Sequence, residues 1–143
     1  MFALIIATAI AAQQPVVHQD QVAHQGATYS LSYRPHVETS MRTIGQSVGS
    51  RPSTERCLWR ANITLNREIS RADSSERLVK RVHGDGHQVE GQAPGKCGRD
   101  RGHIKDMIAA KVAGAQDHVV AMAQADRPAA LADIDAAHAL ALN

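Results

Sequence analysis

Residues 57–66 read Cys-Leu-Trp-Arg-Ala-Asn-Ile-Thr-Leu-Asn, with an apolar side chain at every odd position and mostly polar side chains between them. Successive side chains of a β-strand point to opposite faces, so this alternation predicts a strand with one buried face. Residues 29–42 repeat the pattern, again with apolar side chains at odd positions. Pro35 cannot donate a ladder hydrogen bond, which predicts that this second strand lies at a sheet edge or bends there. If the two strands pair antiparallel, their odd faces form one wall of the core.

The composition is typical of one globular domain with a thin core. The 143-residue chain is 43% hydrophobic and 21% charged. Its only aromatic residues are Phe2, Tyr29, Tyr33 and Trp59, whereas alanine supplies 24 residues, and small side chains bury little area each. A net charge of +2 excludes the strong global field that draws proteins to nucleic acids or anionic membranes.

Residues 73–91 fit two different structures. Asp73 followed by Glu76 resembles a helix capping box. Residues 84–86, Gly-Asp-Gly, instead resemble the turn of a β-hairpin between flanking strands. We favour the strand pair, which gives an antiparallel sheet of three or four strands within residues 27–91.

The C-terminal third is predicted to be helical. Its apolar residues recur every three or four positions, as at Ile104, Ile108 and Val112, and Pro128 predicts a break between two helices. The fold class is therefore α+β: a single domain over residues 27–143, with alanine-rich helices in residues 100–142 covering one face of the sheet. Residues 13–26, rich in glutamine and lacking periodicity, are predicted to be a flexible tail.

The first residues resemble a secretory signal peptide. Residues 2–12 are uniformly apolar or small, too short to span a bilayer, and followed by Gln13, Gln14 and Pro15. Ala9 and Ala11 form a small-x-small cleavage site. We therefore interpret residues 1–12 as a signal peptide and expect a periplasmic or secreted protein with no transmembrane segment after cleavage. Twelve arginines against four lysines, with the excess of alanine, favour a bacterial source.

The chain holds two cysteines, Cys57 and Cys97. An even number of cysteines in an exported chain predicts a disulfide between them. Such a crosslink would compensate for a thin core.

Two histidines suggest a metal site. With a three-residue turn at residues 84–86, His83 and His87 would lie opposite each other across a hairpin, where they could ligate zinc or copper with Asp85 or His103. Exposed histidines beside a turn are the simpler interpretation, because two ligands do not define a site.

Function is the least constrained property. The chain has no nucleophile elbow, no Walker-type phosphate loop and no His-Glu-x-x-His pair, so we expect a protein that is not an enzyme. The leading hypothesis is a binding or structural protein of the cell envelope whose outward sheet arginines, Arg56, Arg60 and Arg67, bind an acidic protein or polysaccharide. No nucleic-acid motif accompanies them. Metal binding through the two histidines and an unrecognised hydrolase remain the alternatives.

Overall fold

The computed structural model describes residues 15–141, so the predicted signal peptide lies outside the described residues. Within them a five-stranded antiparallel sheet is followed by three helices, which confirms the α+β class. The elements are β1 (His18–His24), β2 (Ala27–Ile44), β3 (Arg56–Arg71), β4 (Arg77–Arg81), β5 (His87–Pro94), α1 (Arg101–Gly114), α2 (Gln116–Ala125) and α3 (Arg127–Ala141).

The two alternating stretches form the long central pair of the sheet. β2 and β3 are antiparallel and stay in one unbroken register from Tyr29 opposite Arg71 to Ile44 opposite Arg56. As predicted, the odd residues of β3 from Cys57 to Leu65 are buried, and the burial continues beyond the predicted stretch to Ile69. We call the face that they form the inner face, and the opposite one the outer face.

The predicted hairpin at residues 84–86 is wrong. β4 and β5 both pair with β3, β5 along its first half and β4 along its second, so they fill one sheet position in succession. Between them the chain stays against β3, because the Val82 N–H donates to the Leu65 carbonyl at 2.8 Å. Gly86, at φ 76°, approaches β3 so closely that a Cβ there would lie 2.6 Å from the Ile63 carbonyl oxygen.

The predicted flexible tail is wrong over residues 18–24. These residues form β1, which pairs antiparallel with the first part of β2. The strand gives little hydrophobic signal because Val22 is its only buried residue. The other residues of β1 are positioned by main-chain pairing with β2 at the edge of the sheet.

The helices cover the inner face in two clusters. α2 and α3 pack over the middle of the sheet, where Leu31, Ile63 and Leu65 are fully buried, while α1 packs over Trp59 and Ala61. Trp59 is only 2% exposed, as predicted for a core residue. None of the helices in residues 15–141 is long and apolar enough to cross a membrane.

The predicted disulfide is present. Cys57 of β3 is bonded to Cys97, with the two Sγ atoms 2.10 Å apart. Cys97 lies in the loop between β5 and α1, and its N–H donates to Oγ1 of Thr43 on β2 at 3.1 Å. The crosslink therefore fixes the start of α1 to the sheet.

Candidate functional site

The outer face of the sheet is polar and carries an excess of arginine. The registers place six arginines and three glutamates on it among the described residues: Arg34, Arg42, Arg56, Arg60, Arg77 and Arg81, with Glu38, Glu68 and Glu90. The helices pack on the opposite face, so these side chains face away from the core.

A groove of about 880 Å³ crosses β2, β3 and β5 at one end of the sheet. Three adjacent rows of residues line it, and each row consists of one residue from β2, its partner on β3 and the partner of that residue on β5. These are Ser40, Arg60 and Glu90; Met41, Trp59 and Gly91; and Arg42, Leu58 and Gln92.

The groove opens on the outer face. The first and third rows have their side chains on that face. The inner-face residues on either side of Trp59 in β3, Cys57 and Ala61, do not line the groove. The middle row contributes the floor. Gly91 is required there, because a Cβ would lie 2.3 Å from Cζ2 of Trp59. Glycine therefore lets the indole pack against β5 beneath the groove.

Three arginines surround Leu58 in and beside the groove. Arg42 lies opposite Leu58 on β2, and Arg56 and Arg60 lie two residues to either side of Leu58 on β3. Arg42 is thus a diagonal neighbour of both Arg56 and Arg60, and such neighbours lie roughly 7–8 Å apart, with their Cβ atoms somewhat closer. Their guanidinium groups are thus placed to contact a single ligand.

Most of this positive charge is not neutralised by carboxylates within the described part of the chain. Arg60 lies 3.6 Å from Glu90, but the two side chains are 59% and 67% exposed, so the pair is held weakly. Among residues 15–141, Arg42 and Arg56 have no carboxylate within ion-pair distance. Arginines in this arrangement suit carboxylate, sulfate or phosphate groups, which guanidinium binds through paired hydrogen bonds.

The structure places two of the three predicted arginines on the outer face and corrects the third. Arg56 and Arg60 lie on the outer face, whereas Arg67 lies on the inner face and is 2% exposed. Its Nη1 donates to Oδ2 of Asp126 at 2.5 Å, and its Nη2 donates to Asp133. Arg67 therefore joins β3 to the helices and is not available to a partner.

This buried ion pair is part of a larger polar cluster that sequence reasoning missed. The Tyr33 hydroxyl donates to Asp126 at 3.1 Å, and Lys80 of β4 donates to Asp133 at 3.0 Å. The alternation of β3 could have predicted the position of Arg67, because odd-numbered residues from Cys57 onward lie on the inner face.

The cluster shifts the pKa values of two of its members in opposite directions. Burial raises the pKa of the Tyr33 hydroxyl well above its usual range, and the negative charge of Asp126 raises it further. Burial alone would also raise the pKa of Asp133. The hydrogen bond from Lys80 and the positive charge of Arg67 outweigh burial and lower that pKa below the ordinary value of an aspartate.

The predicted histidine pair is not formed across a hairpin. β4 and β5 do not pair with each other, and His83 is exposed in the segment between them. His87 lies on the inner face and stacks on His118 of α2, with ring centroids 4.5 Å apart. In residues 15–141 no group of three or more histidines, cysteines, aspartates and glutamates is arranged to hold a metal ion.

A second, smaller cavity of about 250 Å³ lies between β1 and the junction of α2 with α3. It is lined by His18, Asp20, Tyr33, Ala123, Gln124 and Arg127. Its two charged residues, Asp20 and Arg127, are paired with each other at 3.0 Å. The groove, whose Arg42 has no such partner in the described chain, is the better candidate for a charged ligand.

Comparison with protein-family models, with curated proteins and with solved structures finds no match for this chain.

Proposed function

We propose that this is an exported, non-enzymatic binding protein that holds an acidic polymer in the groove on its outer face. The observation that carries the proposal is the arrangement of Arg42, Arg56 and Arg60 around Leu58, with Glu90 as the only carboxylate among the described residues that line the groove. A polar, arginine-rich surface shaped as a groove favours an anionic ligand.

The weakness of single surface ion pairs favours a ligand with several charges. An exposed pair contributes only about 0.2–1 kcal/mol, so one carboxylate would be held poorly. A chain that presents several carboxylates gains this amount at each arginine that it reaches. An acidic segment of an envelope protein and an acidic polysaccharide both have this property.

Export is supported by two features. The apolar run that precedes Gln13 has the length and small-x-small end of a signal peptide. The bond between Cys57 and Cys97 is compatible with an oxidising compartment. The intact mass of protein recovered from a bacterial periplasm or medium tests this part. We expect a chain that begins after Ala11 or Ala12 and is about 2 Da lighter than its reduced form. A full-length chain with two free thiols would contradict it.

Fluorescence anisotropy of labelled polyglutamate, and separately of labelled alginate, tests the groove. We expect wild-type protein to bind at least one of them at low ionic strength, and Arg42→Gln/Arg56→Gln to bind it about tenfold more weakly or worse. Arg77→Gln is the matched control: Arg77 lies on the same face but is paired with Glu68 at 3.3 Å, away from the groove. Equal affinities for the double variant and the control, or no binding to either polymer, would contradict the proposal.

A further inference from the structure

The second half of β2 forms an open edge of the sheet. β2 has 18 residues, but β1 pairs only with its first part, Ala27–Tyr33. Beyond that point no other strand of residues 15–141 pairs with β2 on the side of β1. Residues 38–43 are all exposed, so the helices do not cover this part of the strand either. We call Val37–Thr43 the open edge.

The main-chain groups of alternate residues point out from the open edge. The Tyr33 carbonyl accepts a hydrogen bond from the Val17 N–H at 2.9 Å, on the side where β1 lies. The register with β3 contains no bulge, so the odd residues that follow point to the same side. The N–H and C=O groups of Val37, Thr39, Met41 and Thr43 are therefore directed at the position of an additional strand.

We propose that a second copy of this chain occupies that position, with the two open edges antiparallel about a two-fold axis at Ser40. In this register Thr39 pairs with Met41 of the second copy and Val37 with Thr43, so every outward main-chain group has a partner. On the outer face, Glu38 of each copy lies directly opposite Arg42 of the other. The dimer thus forms two opposite-charge cross-strand pairs. Glu38 is 61% exposed and also lies 3.2 Å from His36 and 3.8 Å from Arg81. Exposed pairs of this kind are weak, so a ligand carboxylate in the groove can still compete for Arg42.

Charge favours this register over its neighbours. Centring the pair on residue 38 would place Glu38 opposite itself, and centring it on residue 42 would place Arg42 opposite itself. Like charges directly opposite are destabilising. Registers centred on residues 39 and 41 place serine, histidine or isoleucine opposite these charges and gain no ion pair.

The other free edges of the sheet lack this complementarity. An antiparallel pair centred on Val79 of β4 would place Arg77 opposite Arg81. One centred on β5 would place Glu90 opposite itself or opposite Gln92, so it gains no ion pair. The outer-face side chains of β1, which are Gln19, Gln21 and Ala23, carry no charge. Among the strand edges within residues 15–141, only the open edge of β2 combines opposite charges at symmetric positions with an exposed apolar side chain, Met41, that a second strand would cover.

Sedimentation velocity of the full chain over about 1 μM to 1 mM tests the proposal. We expect wild type to associate into a dimer, and Glu38→Arg and Arg42→Glu each to weaken association about tenfold or more, because each creates two like-charge pairs. An equimolar mixture of the two variants should associate again, because the mixed dimer pairs arginine with glutamate at both positions. Misfolding cannot produce that recovery.

The matched control is Glu68→Arg, which makes the same charge change on the outer face of β3, away from the open edge, and should associate like wild type. If the wild-type protein stays monomeric up to about 1 mM, a second copy does not bind the open edge, and the proposal is overturned. Variants that fail to recover association on mixing would also overturn it.

Cysteine crosslinking tests the register itself. Ser40 would face its own copy in a non-hydrogen-bonded pair with Cα atoms about 4.5 Å apart, within the range of a disulfide. Oxidised Ser40→Cys should therefore migrate as a covalent dimer on a non-reducing gel. Thr39→Cys, one position away on the same strand, should not. Crosslinking of Thr39→Cys in preference to Ser40→Cys would show that the register is wrong.

Discussion

Arg60 and Arg67 lie on the same strand, seven residues apart, and have opposite surroundings. The side chain of Arg60 is 59% exposed on the outer face and lies 3.6 Å from an exposed glutamate. The side chain of Arg67 is 3% exposed on the inner face and is bonded to Asp126 and Asp133 on the helical side of the molecule. An odd separation along a strand reverses the face, so Arg67 joins the sheet to the helices while Arg60 is exposed to solvent.

The largest expected effect comes from replacing Arg67 with methionine, and the same replacement at Arg60 gives the comparison. Arg67→Met leaves the buried carboxylate of Asp126 without its charge partner, so we expect the free energy of unfolding to fall by about 3–5 kcal/mol. Arg60→Met removes only an exposed pair, and we expect a change of about 0–1 kcal/mol. Urea unfolding of both variants measures the difference.

A double variant separates charge from packing. Arg67→Met/Asp126→Asn no longer buries an unpaired carboxylate, so it should recover part of the lost stability. If the two single variants lose equal stability, the contrast between the faces is wrong. If the double variant recovers nothing, Arg67 acts through packing.

Removal of the disulfide has the next largest effect. Cys57→Ala/Cys97→Ala opens a crosslink that spans 40 residues, and we expect a loss of about 2–4 kcal/mol in the free energy of unfolding. Because Cys57 lies on the inner face, polymer binding in the groove should persist below the new unfolding midpoint. A loss under about 0.5 kcal/mol would show that the packing of α1 holds the loop without the bond.

Gly91→Ala tests the contact beneath the groove. The added methyl group meets the ring of Trp59, so we expect a loss of about 1–3 kcal/mol and a shifted fluorescence maximum from the only tryptophan in the chain. Gly98→Ala adds a methyl group that has nothing within 4 Å, so stability and emission should stay close to wild type. Equal behaviour of the two variants would contradict the close approach of Trp59 to β5.

The smallest effect concerns Asp133 and depends on pH. Its pKa is lowered in the folded state, so its contribution to stability is complete above the unfolded pKa, near 3.9, and is lost as pH falls through the folded value. We expect Asp133→Asn to lose about 1.5 kcal/mol at pH 7 and to show a shallower decline in stability below about pH 4 than wild type. Parallel stability curves for the two proteins would contradict this assignment.

Side-chain alternation was enough to predict the central strands, the buried Trp59 and the α+β class, because one-sided burial leaves a period-two signal. It would also have placed Arg67 inside, but arginine is rarely buried and its partner Asp126 is 59 residues away in sequence. β1 was not predicted, because its residues are mostly polar and the strand is positioned by main-chain pairing with β2. The groove could not be predicted from the sequence, because it depends on the pairing of β5 with β3 and on the position of Gly91 over Trp59. Both depend on the strand register.

We propose that the ligand binds in the groove on the outer face. An NMR titration of ¹⁵N-labelled protein with short polyglutamate tests it most directly, because each backbone amide reports separately. We predict that the largest chemical-shift changes fall in residues 40–42, 56–60 and 90–92, with little change in α1, α2 and α3. Changes centred on the helices or around Asp20 and Arg127 of the second cavity, or no changes at all, would contradict the account.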